Sequence, residues 1–252
     1  MLKQSNNLEI IIRPFLTDNL SEKQKIEICH VGKFLTLLEG KIEIVERSES
    51  PDFIISFNGE MIGLEHERII NTSNKKNIKS KSEFFFNAAK IFKTKYPGYN
   101  VLVNFWLEDL KFEWKKNEAP KLWDQIADYI YSQINKDTLG LKPEFIDDIL
   151  IMNHNKVCFK YNEGPYYVNN IEKKLLFEAI QKKESKLNNY KYNSKLEKQW
   201  LLIVIGETSA DSYEFEEDHD TIEIKTDYDK IFLMEDFNCK LREIKKCKSD
   251  ND

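Results

Sequence analysis

The chain has 252 residues, with 38 lysines and arginines against 43 aspartates and glutamates, a formal net charge of −5, and 41% hydrophobic residues. That balance supports a folded core, and no run of about 18 apolar residues or signal-peptide pattern is present, so a cytoplasmic protein without membrane partners is expected. Glycine is scarce, 8 residues where average usage would give about 18, and no GxGxxG, GxxxxGK[ST] or GxSxG occurs, which argues against phosphate-cradling loops and nucleophile elbows.

Residues 21–39 read as a helix, with Ile26, Val31, Phe34, Leu35, Leu37 and Leu38 close to helical spacing. Ser21 and Gln24 form a candidate capping box, and Gly40 marks the stop. Three strand-like segments follow, at 42–45, 53–57 and 61–69. The last two are joined by Asn58-Gly59, a strong hairpin signal. Residues 80–96 predict a helix with Phe84, Phe85, Ala88, Ile91 and Phe92 on one stripe. Pro97-Gly98 ends it, and 99–107 reads as a buried strand. A helix between two strands implies a crossover, so part of the sheet should be parallel and the hairpin part antiparallel. In the second half, 121–134 and 169–190 predict helices, and 200–205 and 229–234 predict strands that extend the same sheet. The acidic stretch 207–223 reads as a solvated loop or edge strand. With no repeat and no obvious linker, the expectation is a single α/β domain over 1–252, its core at about 21–107 and a C-terminal extension at about 108–252.

The segment SPDFIISFNGEMIGLEHERI, residues 50–69, carries the chemistry. Strand alternation puts Ile62 and Leu64 on one face and Glu65 and Glu67 on the other. Hairpin pairing can bring Asp52 beside Glu65 or Glu67. Carboxylates that close favour a hard cation such as Mg²⁺ or Mn²⁺, which relieves their repulsion and can activate water.

Pro51-Asp52, twelve intervening residues and Glu65-His66-Glu67 resemble the PD-(D/E)xK nuclease superfamily. The helix, three strands, helix, strand order is similar to that superfamily's common core. The resemblance covers about residues 21–107. It implies a restriction-endonuclease-like α/β fold, with a mixed central sheet flanked by helices and an α-β-β-β-α-β core, and Mg²⁺-dependent hydrolysis of phosphodiester bonds. By position, Asp52 and Glu65 would bind the metal, with Glu67 completing the shell or orienting water. Glu67 stands where the family carries lysine. Some members move that lysine to a neighbouring helix, for which Lys183 and Lys186 are the candidates, and Glu27 on the first helix is a further acid of the kind many members point at the site. Gly59 would turn the hairpin, and Gly63 would leave open space beside the metal. A catalytically inactive nuclease-fold binding or regulatory protein is the alternative, because the motif lysine is missing.

Local charge bears on the partner. Residues 75–95 hold seven lysines against Glu83, and 172–198 hold eight against four glutamates. Both segments could grip a phosphate backbone, so nucleic acid, with DNA ahead of RNA, is the expected partner, and a homodimer is compatible with duplex cutting. His66 should face away from the acids and serve packing. His30 follows Cys29 on a helix, where adjacent residues do not face one direction. His154 and His219 have no partner at ligand spacing, and Cys29, Cys158, Cys239 and Cys247 lack zinc spacing and suit a reducing compartment. A two-carboxylate sugar hydrolase is excluded, since Glu65 and Glu67 on one strand face cannot flank a substrate.

Overall fold

The described chain opens with the short helix α1 (Leu8–Ile12), continued by a 3₁₀ turn at Arg13–Phe15, and then the 16-residue α2 (Glu22–Leu37). The Ser21 hydroxyl accepts from the Gln24 amide at 3.4 Å, and the Gln24 side chain accepts from the Ser21 amide at 3.0 Å, so the expected capping box is present. Ile28, Val31, Phe34 and Leu35 face the core, while Ile26 lies on the exposed side. The strands β1 (Ile42–Arg47), β2 (Phe53–Phe57) and β3 (Glu60–Arg68) then form an antiparallel meander. Both hairpin-turn residues take positive φ, 52° at Asn58 and 87° at Gly59, as a two-residue turn of the favoured hand demands. Phe53 pairs with Leu64, so Asp52 falls opposite Glu65.

The next segment departs from the expected single sheet. This computed structural model describes residues 7–108, 112–136, 138–162, 168–215 and 222–247, and they divide into two compact units, with residues 72–167 forming the second. That unit contains α3 (Thr72–Lys95), β4 (Val101–Leu107), α4 (Ala119–Ile134), β5 (Ile146–Asn153) and β6 (Cys158–Asn162). The strand β4 does not cross back to β3. It is the middle of a separate sheet ordered β5-β4-β6, antiparallel to β5 and parallel to β6. The physical reason is a second, aromatic core. Phe84, Phe85 and Phe92 of α3 pack with Val103 and Phe105 of β4, Ile126 and Ile130 of α4, and Phe112, Phe145 and Phe159. The single-domain reading, with its core at 21–107, is therefore corrected to two units, one inserted in the other.

The first unit resumes with β7 (Asn169–Asn170), α5 (Lys173–Glu184), α6 (Leu187–Ser194), β8 (Gln199–Ile205), β9 (Tyr213–Glu214), β10 (Glu223–Ile224), β11 (Lys230–Glu235), β12 (Lys240–Glu243) and β13 (Lys245–Lys246). The expected helix over 169–190 is thus two helices, broken at Ser185-Lys186 where the sequence has no glycine or proline. Part of the acidic stretch 207–223 lies outside the described residues. The main sheet is ordered β1-β2-β3-β8-β11-β12, with β3, β8 and β11 parallel and both flanks antiparallel. This mixed sheet lies between helices, and β8 and β11 extend it as expected. On one face, Ile62, Leu64, Trp200, Leu202, Val204, Phe232 and Met234 pack with α2. On the other, Leu201, Ile203, Ile205, Ile231 and Leu233 pack with Leu176 and Ile180 of α5 and Leu187 and Tyr190 of α6. Burial on both faces explains why β8 reads WLLIVI without alternation.

Candidate functional site

The strand β3 sets the geometry. Its even-numbered residues Ile62 and Leu64 enter the α2 face, so Glu65 and Glu67 turn to the α5–α6 face, as strand alternation requires. Asp52 lies beside Glu65 across the hairpin. Its backbone amide donates to Glu65 Oε2 at 3.2 Å, and its own Oδ2 accepts from the His66 amide at 2.9 Å. Glu65 is 4% exposed, an acid that charge alone would keep at the surface.

The ammonium of Lys183, from the last turn of α5, closes this face. Its Nζ lies 2.6 Å from Glu65 Oε1, 3.1 Å from Glu67 Oε2 and 2.9 Å from the His66 carbonyl oxygen. The Tyr190 hydroxyl of α6 donates to the same Glu65 Oε1 at 3.0 Å, and Lys182 reaches Glu67 Oε1 at 2.9 Å. Burial and then the neighbouring Asp52 charge raise the Glu65 pKa, opposed by Lys183 and Tyr190. Burial works against the Lys183 charge, yet Glu65, Glu67 and Asp52 outweigh it and leave its pKa raised, so it stays an ammonium. Burial and Glu65 raise Tyr190, which remains a phenol and a donor. Tyr228, fully buried, also feels the charges of Glu65 and Asp52, and its hydroxyl has no hydrogen-bond partner among the described residues.

Of the sequence candidates, Asp52, Glu65, Glu67 and Lys183 come together. Glu27 does not join them: it pairs with Lys23 of its own helix at 3.4 Å. Lys186 is exposed at the start of α6 and makes no contact with the three acids. Gly63 does not open space, since a Cβ there would meet the Gln199 side chain at 2.2 Å. Gln199, fully buried, is anchored through its amide nitrogen to the Leu196 carbonyl at 2.8 Å. Tyr190 and Lys182 were missed as site residues, though for Tyr190 a signal existed. Leu176, Ile180, Lys183, Leu187 and Tyr190 follow one another at spacings of four and three, so a lysine and a tyrosine stand in line with an apolar stripe.

The opposite face of β3 holds a second buried polar group. His66 Nε2 lies 3.1 Å from His30 Nδ1 of α2, with the rings stacked. His30 Nε2 in turn faces Glu207 Oε1 at 3.6 Å, and Arg68 pairs with Glu207. One arrangement suits all these neighbours: His66 Nε2–H donates to His30 Nδ1, and His30 Nε2–H faces the carboxylate. His66 therefore faces away from the acids, as its place in the strand implied, and His30 has a partner that the sequence did not reveal.

In kind, the oxygen donors of Asp52, Glu65 and Glu67 suit Mg²⁺ or Mn²⁺, and three oxygens already surround one cationic nitrogen. Among the described residues, no group of three or more histidine, cysteine, aspartate or glutamate side chains forms a ready metal cage. Lys183 and the hydrogen bonds hold the carboxylates instead. Among the described residues, no helix is long and apolar enough to cross a membrane. Compared with known proteins, the chain matches no family model, and neither a curated protein nor a solved structure is significantly similar to it.

Proposed function

We propose that this chain is a metal-dependent nuclease that hydrolyses phosphodiester bonds, with DNA, or alternatively RNA, as substrate. The observation that carries the reading is one cluster: Asp52, Glu65 and Glu67 at the hairpin of β2 and β3, with Lys183 brought to them from α5. Supporting it, with residues 72–167 set aside the order runs α2, β1, β2, β3, then the two-residue β7, α5, α6 and β8, so helices separate β3 from β8, and β3 is parallel to β8. Apart from β7 and the second helix, that is the order expected of a restriction-endonuclease-like core. Lys183 then stands for the motif lysine that Glu67 replaces.

Asp52 and Glu65 would hold the ion, with Glu67 on the same strand face. When bound, Mg²⁺ or Mn²⁺ supplies a water of lowered pKa and neutralises charge on the departing phosphate oxygen. Lys183 keeps its proton, so its part is to donate hydrogen bonds and place positive charge rather than to act as a base. Tyr190 and the Asp52 amide orient the Glu65 carboxylate, and a bound ion would take over part of the compensation that Lys183 now gives it. The inactive binding protein stays as the second reading because the Lys183 ammonium already compensates Glu65 and Glu67.

The test is cleavage of labelled DNA and RNA by the purified full chain with Mg²⁺, Mn²⁺ or EDTA. Activity that requires the metal and drops by about a thousandfold or more in Asp52→Ala and Glu65→Gln is expected. Cleavage that survives both substitutions overturns the assignment. An absence of cleavage, together with no thermal stabilisation by Mn²⁺, favours the second reading.

A further inference from the structure

The inserted unit carries its own candidate surface. Helix α3 buries Phe84, Phe85, Ala88, Ala89 and Phe92 on one side, and this fixes what its other side presents. At 100° per residue, Lys75, Lys79, Phe86, Lys90 and Lys93 fall within about 60° of one another, on a strip about 27 Å long. All four lysines are exposed, and Phe86 keeps 58% of its surface accessible in the middle of the strip. Lys90 holds its ammonium 4.3 Å from the Phe86 ring centroid. Glu83, the one acidic residue of α3, reaches Lys79 at 3.8 Å, with both groups largely in solvent. Lys75 and Lys93 make no ion pair with described residues.

We propose that this face of α3 docks single-stranded nucleic acid. A row of lysines complements a polyanion, and against the chain's net charge of −5 this basic strip is a local feature rather than a general one. An acidic peptide would satisfy the lysines yet leave the Phe86 ring uncovered. A single strand offers both partners at once: phosphates for the lysines and an unpaired base to stack on Phe86, beside the Lys90 charge. In a duplex the bases are already stacked on one another, and reaching Phe86 would require extruding one. The inference rests on the preceding reading only in the polymer it names, since the residues involved are separate from the carboxylate cluster.

The experiment is fluorescence anisotropy of the full chain in EDTA, where metal-dependent cleavage is stopped. The probes are a labelled oligothymidine of about 20 nucleotides, a hairpin duplex of similar length and a polyglutamate chain. The single strand should bind tightest, by about tenfold or more over the duplex. Phe86→Ala should weaken single-strand binding about tenfold while leaving the melting temperature unchanged, because the ring is exposed. Changing Lys75, Lys79, Lys90 and Lys93 together to glutamine should remove about three units of slope from log K against log salt, as expected for four phosphates on a single strand. Unchanged affinity in both variants overturns the proposal. So does equal or tighter binding of the duplex or of polyglutamate. A chain that binds in EDTA but never cleaves with metal overturns the nuclease reading alone. A chain that cleaves with metal while both variants bind normally overturns this one alone.

Discussion

The two units hold their ionisable groups differently. Among the described residues of the inserted unit, the buried polar and charged residues reduce to Ser132, and the interior is a mesh of aromatic and aliphatic side chains. The unit built on the six-stranded sheet buries His30, Glu65, His66, Gln199, Asp211, Ser212 and Glu235. Folding does not require those groups inside, since the inserted unit shows that this chain can build an apolar core. Buried charge must be compensated by partners, and its presence on both faces of β3 marks where the molecule departs from simple packing.

The strongest test of that contrast is Lys183→Met. It leaves the buried Glu65 without its ammonium, while the part-exposed Glu67 keeps Lys182, and a loss of about 3–5 kcal/mol in urea unfolding is expected. Adding Glu65→Gln should return part of the loss, because the uncompensated charge goes with it. A single-variant loss under about 1 kcal/mol would show that the cluster is solvated and that the contrast between units fails.

The histidine pair gives an intermediate effect, through pH. Burial, helped by Arg68 and Lys33 and opposed by Asp236, takes the His30 pKa down to about 4. Burial and then His30 itself lower His66. Two protonated rings 3.1 Å apart would turn N–H donors toward each other. Between about pH 6.5 and 4 the unfolded chain therefore binds more protons than the folded one. For His30 the stabilisation is fully present above that window and is lost as pH falls through it, by up to about 1.4 kcal/mol per unit, and His66, lowered too, acts with the same sign. Glu65, with a raised pKa, acts with the opposite sign, because its folded form takes up the proton first. Urea midpoints measured from pH 7 to 4 should fall, and a His30→Gln, His66→Gln chain should show a flatter profile. An unchanged slope in that double variant would refute the assignment.

The smallest effect belongs to the inserted unit. Lys95 lies 2.7 Å from Asp128 and 3.2 Å from Asp124, a geometry as good as that of Lys183, but at the surface. Lys95→Ala should cost under about 1 kcal/mol, since solvent screens the pair. A loss equal to that of Lys183→Met would mean that burial is not what separates the two units.

Local pattern determined a good deal by itself. The capping box at Ser21, the Asn58-Gly59 turn, the ranges of β2 and β8, and the alternation that puts Glu65 and Glu67 on one face all follow from short-range chemistry. Asp52, Glu65 and Glu67 were legible because a tight hairpin fixes register within a few residues. Lys183 was legible only as one of two candidates. Tertiary structure decided the choice, since Ile180 three residues before it is buried and Lys186 is not directed inward. The partner of β3 was beyond local reach. β4 and β8 both read as buried strands, and hydrophobicity alone cannot say which sheet an apolar strand joins. That was settled by a second set of aromatic residues large enough to close its own core around β4, and the adjacent position in the main sheet fell to a strand more than 130 residues after β3 began.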